Sequence, residues 1–120
     1  MGGSAITNLD YDCAKAGNEI NESEKVIVDA LAVVEEQGLY AMFLFLKSKQ
    51  KKADDKESNI EKVIRETLGS HDLLPSTQNL YSSLKDLSKN LDDLLLARDL
   101  VRRILVYALY HAKVRSKDQV

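Results

Sequence analysis

Residues 38–52 read GLYAMFLFLKSKQKK, and within this stretch an unbroken apolar run, Leu39 to Leu46, gives way to Lys47, Lys49, Lys51 and Lys52. A helix whose first two turns are apolar all round is expected where other elements surround it. The spacing therefore predicts a helix from Leu39 to about Lys52, the central helix of a bundle, ending in concentrated positive charge. At eight residues the run is far shorter than the roughly 20 that a bilayer span needs, so no membrane partner is expected.

Outward from this segment the periodicity stays helical, and strand-like alternation is almost absent. A first helix is predicted over Asn8 to Ile20. A second starts at Asn21, with Asn21 and Glu24 spaced as N-cap and N3 of a capping box. Its apolar residues Val26, Ile27, Ala30, Leu31, Val33 and Val34 follow the i, i+3, i+4 pattern up to Gly38, which occupies the place of a left-handed C-cap. Beyond the polar string KKADDKESN, a fourth helix is predicted over Asp55 to Leu68, with Ile60, Val63, Ile64 and Leu68 on one face and Gly69 as its stop. Gly69 to Pro75 reads as a loop, and Ser76 as the cap of a fifth helix bearing Leu80, Leu84 and Leu87. The sixth runs from about Asn90 to Arg115 without Gly or Pro. The fold class is thus all-α, a compact bundle of five to six helices with a long C-terminal helix.

A length of 120 residues, 44% apolar and 30% charged, fits one soluble domain spanning 1–120 with a single core. Residues 1–7 are expected to be flexible, with Met1–Ser4 a candidate vector-derived remnant. The amino terminus shows no basic stretch leading into an apolar one, so it does not read as a secretory signal. Cys13 is the sole cysteine, which excludes an internal disulfide and fits a cytoplasmic location. The net charge of -2 divides into -6 over residues 1–46 and +4 over residues 47–120. A polyanion would be met by the later part of the chain and repelled by the first.

On the last helix, at about 100° per residue, Ala97, Val101, Ile104, Ala108 and Ala112 share one stripe that faces the bundle. Nearly opposite lie Arg102, Arg103, Lys113 and Lys117, with Val106 and Tyr110 among them. Cations around an aromatic suit phosphates and a stacking base. Asp99, three and four residues before Arg102 and Arg103, can neutralise part of this face. The candidate nucleic-acid-binding residues are therefore Lys47, Lys49, Lys51, Lys52, Arg102, Arg103, Lys113 and Lys117.

Catalytic patterns are lacking. His71 and His111 belong to no metal-binding motif, Cys13 reads as a small buried apolar residue, and there is no Gly-rich phosphate loop. No cofactor, metal or enzymatic activity is expected.

The pairing of GLYAMFLFLKSK with LLLARDLVRRILVYALYHAK resembles the small helical subunit of Cmr-type (type III-B) CRISPR RNA-silencing complexes. In that family a Gly-Leu enters a helix ending in a Phe-Leu-Lys-Ser-Lys type sequence, matched by Gly38, Leu39, Phe45, Leu46, Lys47, Ser48 and Lys49. The last helix is similar over Ala97 to Leu105, with Tyr107 and Ala112 after it. It departs from the family at Leu109 and Tyr110, where a Lys-Arg pair is usual. The resemblance implies a non-catalytic subunit of an antiviral ribonucleoprotein, stacked beside other subunits and contacting guide RNA and target RNA. The alternatives are a self-associating helical adaptor without nucleic-acid contact, the small subunit of a DNA-targeting CRISPR effector, and a small enzyme using Cys13, His71 or His111.

Overall fold

The computed structural model describes residues 2–49, 59–74 and 79–118, with the side chains of 9–49, 59–74 and 79–117. Among these the chain is all helical, in the order α1 (Gly2–Glu19), α2 (Glu24–Glu36), α3 (Leu39–Ser48), α4 (Asn59–Ser70), α5 (Leu80–Leu87) and α6 (Leu91–Asp118). The expected bundle with a long C-terminal helix is what forms, and no described helix is long and apolar enough to cross a membrane.

Local chemistry sets the helix ends, and in places differently from the sequence expectation. The backbone of α1 is helical from Gly2, ahead of the predicted start at Asn8. α2 is capped by Ser23, not Asn21: the Ser23 hydroxyl accepts the Val26 N–H at 3.3 Å. Glu24 consequently opens the helix rather than closing a capping box. Asn21 is committed elsewhere, because its backbone N–H donates to Asn59 Oδ1 at 2.6 Å while Asn59 Nδ2 donates to Glu19 O. One asparagine thereby ties the α1–α2 turn to the start of α4.

Between α2 and α3 the C-cap is Gln37, and Gly38 adopts φ 99° and ψ -176°. This is positive-φ extended backbone rather than the predicted left-handed turn, a region open essentially to glycine alone. Both the Gln37 and the Gly38 N–H groups donate to Val33 O, so the chain enters α3 without a spacer. α3 ends at Ser48, whose hydroxyl donates to Phe45 O at 2.7 Å. The predicted continuation to Lys52 falls outside the described residues, as do Asp55 and Ser76. The cap observed for α5 is Asn79, which accepts the Tyr81 N–H.

Gly69 does not stop α4. The helix runs to Ser70 and closes on Asp72, which takes the left-handed conformation at φ 60°. The Leu73 N–H donates to Leu68 O and the Asp72 N–H to Gly69 O, the two bonds of a Schellman motif. The motif also wants an apolar contact beyond the cap. Leu73 supplies it by burying beside Leu68, which a stop at Gly69, with polar Ser70 following, could not do.

The central helix is α6, not α3. α6 packs against α1, α2, α4 and α5, whereas α3 packs on α2 and α4. Its buried residues, Ala97, Leu100, Val101, Ile104, Leu105, Ala108 and Ala112, cover an arc of about 140°, and three are alanines. Small side chains let two neighbours approach at once. α3 instead buries a single stripe, Leu39, Met42, Phe43 and Leu46, and leaves Tyr40 and Leu44 half exposed. Its unbroken apolar run reflects composition on both faces rather than burial on both.

Two arginines of α6 terminate its neighbours. Arg98 Nε donates to Val34 O at 3.0 Å and Nη2 donates to Glu35 O, at the end of α2. Arg115 Nη2 donates to Ile20 O at 3.2 Å, just past α1. A cation at a helix C-terminus satisfies carbonyls left without intrahelical donors and faces the negative end of the dipole. Since Ile20 meets Arg115 and Val34 meets Arg98, α2 runs back along α6. Replacing Arg98 or Arg115 by Ala is expected to lower stability by about 1.5–3 kcal/mol each, the range for hydrogen bonds from charged donors. Urea midpoints check this, and values within error of wild type would show these bonds to be dispensable.

Candidate nucleic-acid interface

The eight candidate cations fall into distinct classes. Lys51 and Lys52 lie outside the described residues. Lys47 and Lys49 are exposed at the end of α3, held there by the buried Leu39, Met42, Phe43 and Leu46 stripe. The Lys49 ammonium sits over the Phe45 ring, 5.4 Å from its centre. Lys47 has no ion-pair partner among the described residues.

On α6 the predicted stripe does point away from the core, but its members are not equivalent. Arg102 pairs with Asp99 at 3.5 Å and Arg103 with the same carboxylate at 3.1 Å. The neutralisation foreseen from their i+3 and i+4 spacing therefore occurs. The two arginines also lean apart. Arg102 borders a shallow depression of about 430 Å³ with Val34, Glu35 and Arg98, while Arg103 lies near enough to Cys13 on α1 to act on its thiol. Lys113 and Lys117 are exposed, one turn apart, and form no ion pair among the described residues. Tyr110, 61% exposed, stands on the same outward face. The lysine and tyrosine end of α6 is the part of the stripe whose cations remain available to phosphates.

Other chemically capable groups are engaged in structure. Cys13 is 1% exposed, its S–H donates to Leu100 O at 3.8 Å, and burial, ahead of the nearby charges, pushes its pKa up to about 11. A thiol so placed stays protonated near neutral pH. His71 Nε2 pairs with Asp12 Oδ2 at 3.0 Å and fastens the end of α4 to α1. The Tyr107 hydroxyl donates to Asp10 Oδ1 at 2.9 Å, and this bond is the main cause of its raised pKa. Among the described residues no cluster of three or more His, Cys, Asp or Glu side chains could hold a metal ion.

Three features escaped sequence reasoning. A groove of about 600 Å³ lies between the start of α3 and α5, bordered by Gly38, Tyr40, Tyr81 and Lys85, with the two tyrosine rings 5.5 Å apart. Glu61, in the first turn of α4, is 2% exposed. Leu91, Leu95 and Leu96 are exposed at the start of α6, at 66%, 51% and 41%. Only the last had a sequence signal, since these leucines fall outside the arc of the core stripe. Neither family models, nor curated proteins, nor solved structures provide a match to this chain.

Proposed function

We propose that the chain is a non-catalytic helical subunit of an RNA-guided interference complex, of the Cmr-type class that it resembles, and that it meets RNA phosphates with Lys47, Lys49, Lys113 and Lys117. The observation that carries this reading is the end of α3. The residues that share the family's Gly-Leu and Phe-Leu-Lys-Ser-Lys pattern form one element there, in which a buried apolar stripe and the Ser48 cap hold two lysines outward. Arg102 and Arg103 contribute less, because both share the Asp99 carboxylate. A solvent-facing helix end whose cations form no ion pair among the described residues is suited to positioning a backbone and carries no base recognition of its own.

The assembled complex is the appropriate sample, since one subunit with few phosphate contacts binds weakly alone. Four contacts to single-stranded RNA predict that log affinity falls with log salt at a slope of about -3, and Lys47→Glu with Lys49→Glu should halve it to about -1.5. Arg102→Ala with Arg103→Ala should leave it nearly unchanged. RNA affinity and salt slope indifferent to the lysine reversals would sink the assignment. The exposed leucines at the start of α6 favour a second reading, a self-associating adaptor. That reading requires oligomers that form without RNA and leave no crosslinks to it.

A further inference from the structure

The outward ridge of α6 carries its charge in two blocks. Asp92 lies in the first turn and Asp99 two turns later, whereas the cations begin at Arg102 and extend to Lys117. Exposed apolar side chains accompany both blocks, Leu96 in the acidic part and Tyr110 and Val114, 61% and 57% exposed, in the basic part. Asp92, Leu96, Asp99, Tyr110, Lys113 and Lys117 also share the alternating four- and three-residue spacing of a coiled-coil seam, which continues through Arg103 and Val106 and leaves Val114 beside it. A helix of 28 residues presents this seam over about 42 Å.

The seam is complementary to its own reverse. Turned end for end about an axis between Arg103 and Val106, Asp92 meets Lys117, Leu96 meets Lys113, whose methylene stem can lie over it, and Asp99 meets Tyr110, whose hydroxyl can donate to the carboxylate. Each contact occurs twice, as an isologous interface demands. In parallel register the same seam would set Asp92 on Asp92 and Lys117 on Lys117, a like-charge arrangement that opposes association. We infer that two copies of the chain pair through the outward faces of their α6 helices, antiparallel, about a two-fold axis. Such pairing covers Lys113 and Lys117, so it competes with the RNA contact assigned to those lysines without depending on it.

The test uses the full chain without nucleic acid. A single helix pair is a small interface, so sedimentation velocity should show a monomer–dimer equilibrium with a dissociation constant on the order of 10–100 µM that weakens with added salt. Asp92→Lys and Lys117→Asp should each weaken it at least about tenfold, and the two together should restore it. A second measurement is geometric. Leu96→Cys and Lys113→Cys lie about 26 Å apart along one helix, so any disulfide joining them is between molecules. The doubly substituted chain should oxidise to a covalent dimer, while Leu91→Cys with Lys113→Cys, out of register, should not. A monomer at all concentrations, a dimer indifferent to the charge exchange, or crosslinking without register preference would overturn the pairing. So would charge variants that stay monomeric and instead lose another subunit of the complex.

Discussion

Gly17→Ala is expected to lower the unfolding free energy by about 3 kcal/mol, at the upper end of the usual overpacking range. A methyl group there would sit 2.6 Å from Tyr107 Cβ, 2.8 Å from Ala108 N and 3.0 Å from Ile104 O. None of these atoms can swing aside, since two are backbone and the third is fixed to it. The helices must separate instead, and the adjoining buried contacts of Cys13, Ala16 and Ile20 loosen with them. For a chain of this length the melting temperature should fall by about 10 °C. Urea denaturation and thermal melts followed by circular dichroism check this, and a change below about 0.5 kcal/mol would mean that α1 and α6 do not approach so closely. Gly38 is a different case. Nothing lies within 4 Å of a Cβ placed there, and its demand is the torsional one of φ 99°.

Why α6 organises the bundle follows from the same contact. Its backbone around Ile104, Tyr107 and Ala108 accepts α1 at Gly17, while Arg115 and Arg98 hold the ends of α1 and α2. The cations of this helix therefore divide by position. Those beside neighbouring helix ends bond carbonyls, those within a turn of Asp99 share it, and Lys113 and Lys117, beyond its reach, stay exposed. Among the described residues the last group alone has neither a carbonyl nor an acid bound to it. Lys47 and Lys49 belong to α3, which packs on α2 and α4, and they form a second basic surface.

How much of this was legible in the sequence depended on whether the deciding interaction was local. Helix number and the long last helix follow from apolar spacing, a property of neighbours three and four residues apart. The Asp99 pairs could be foreseen for the same reason. The Ser23 cap could not be separated from Asn21, because both are good caps and the choice rests on Asn59, far along the chain. Stopping α4 at Asp72 depended on Leu73 finding the core. The capping by Arg98 and Arg115 left no sequence trace, since the acceptors are carbonyls of other helices. Gly17, within a helix, is read locally as a weak helix former, and only the position of α6 explains it. The hierarchy of helices failed for a related reason: hydropathy records what a residue prefers, not how many elements reach it.

That distinction between preference and burial is measurable on α3. Phe43→Ala should cost about 3–5 kcal/mol, the transfer of a buried ring plus the cavity it leaves, whereas Leu44→Ala should cost about 1 kcal/mol or less. The two residues are adjacent in a uniformly apolar run, yet Phe43 is 0% and Leu44 48% exposed. A helix surrounded on all sides would lose comparable amounts at both positions, so the ratio of the two urea-derived values separates a one-sided α3 from a central one. The inequality also bears on function. The stripe through Leu39, Met42, Phe43 and Leu46 fixes the rotation of α3 about its axis, and with it the direction in which Lys47 and Lys49 leave the helix end. Tyr40 and Leu44 lie off that stripe, so substituting them should leave folding nearly intact. Loss of the proposed complex in a folded Leu44→Ala variant would then reflect a surface contact, while loss in Phe43→Ala would reflect instability.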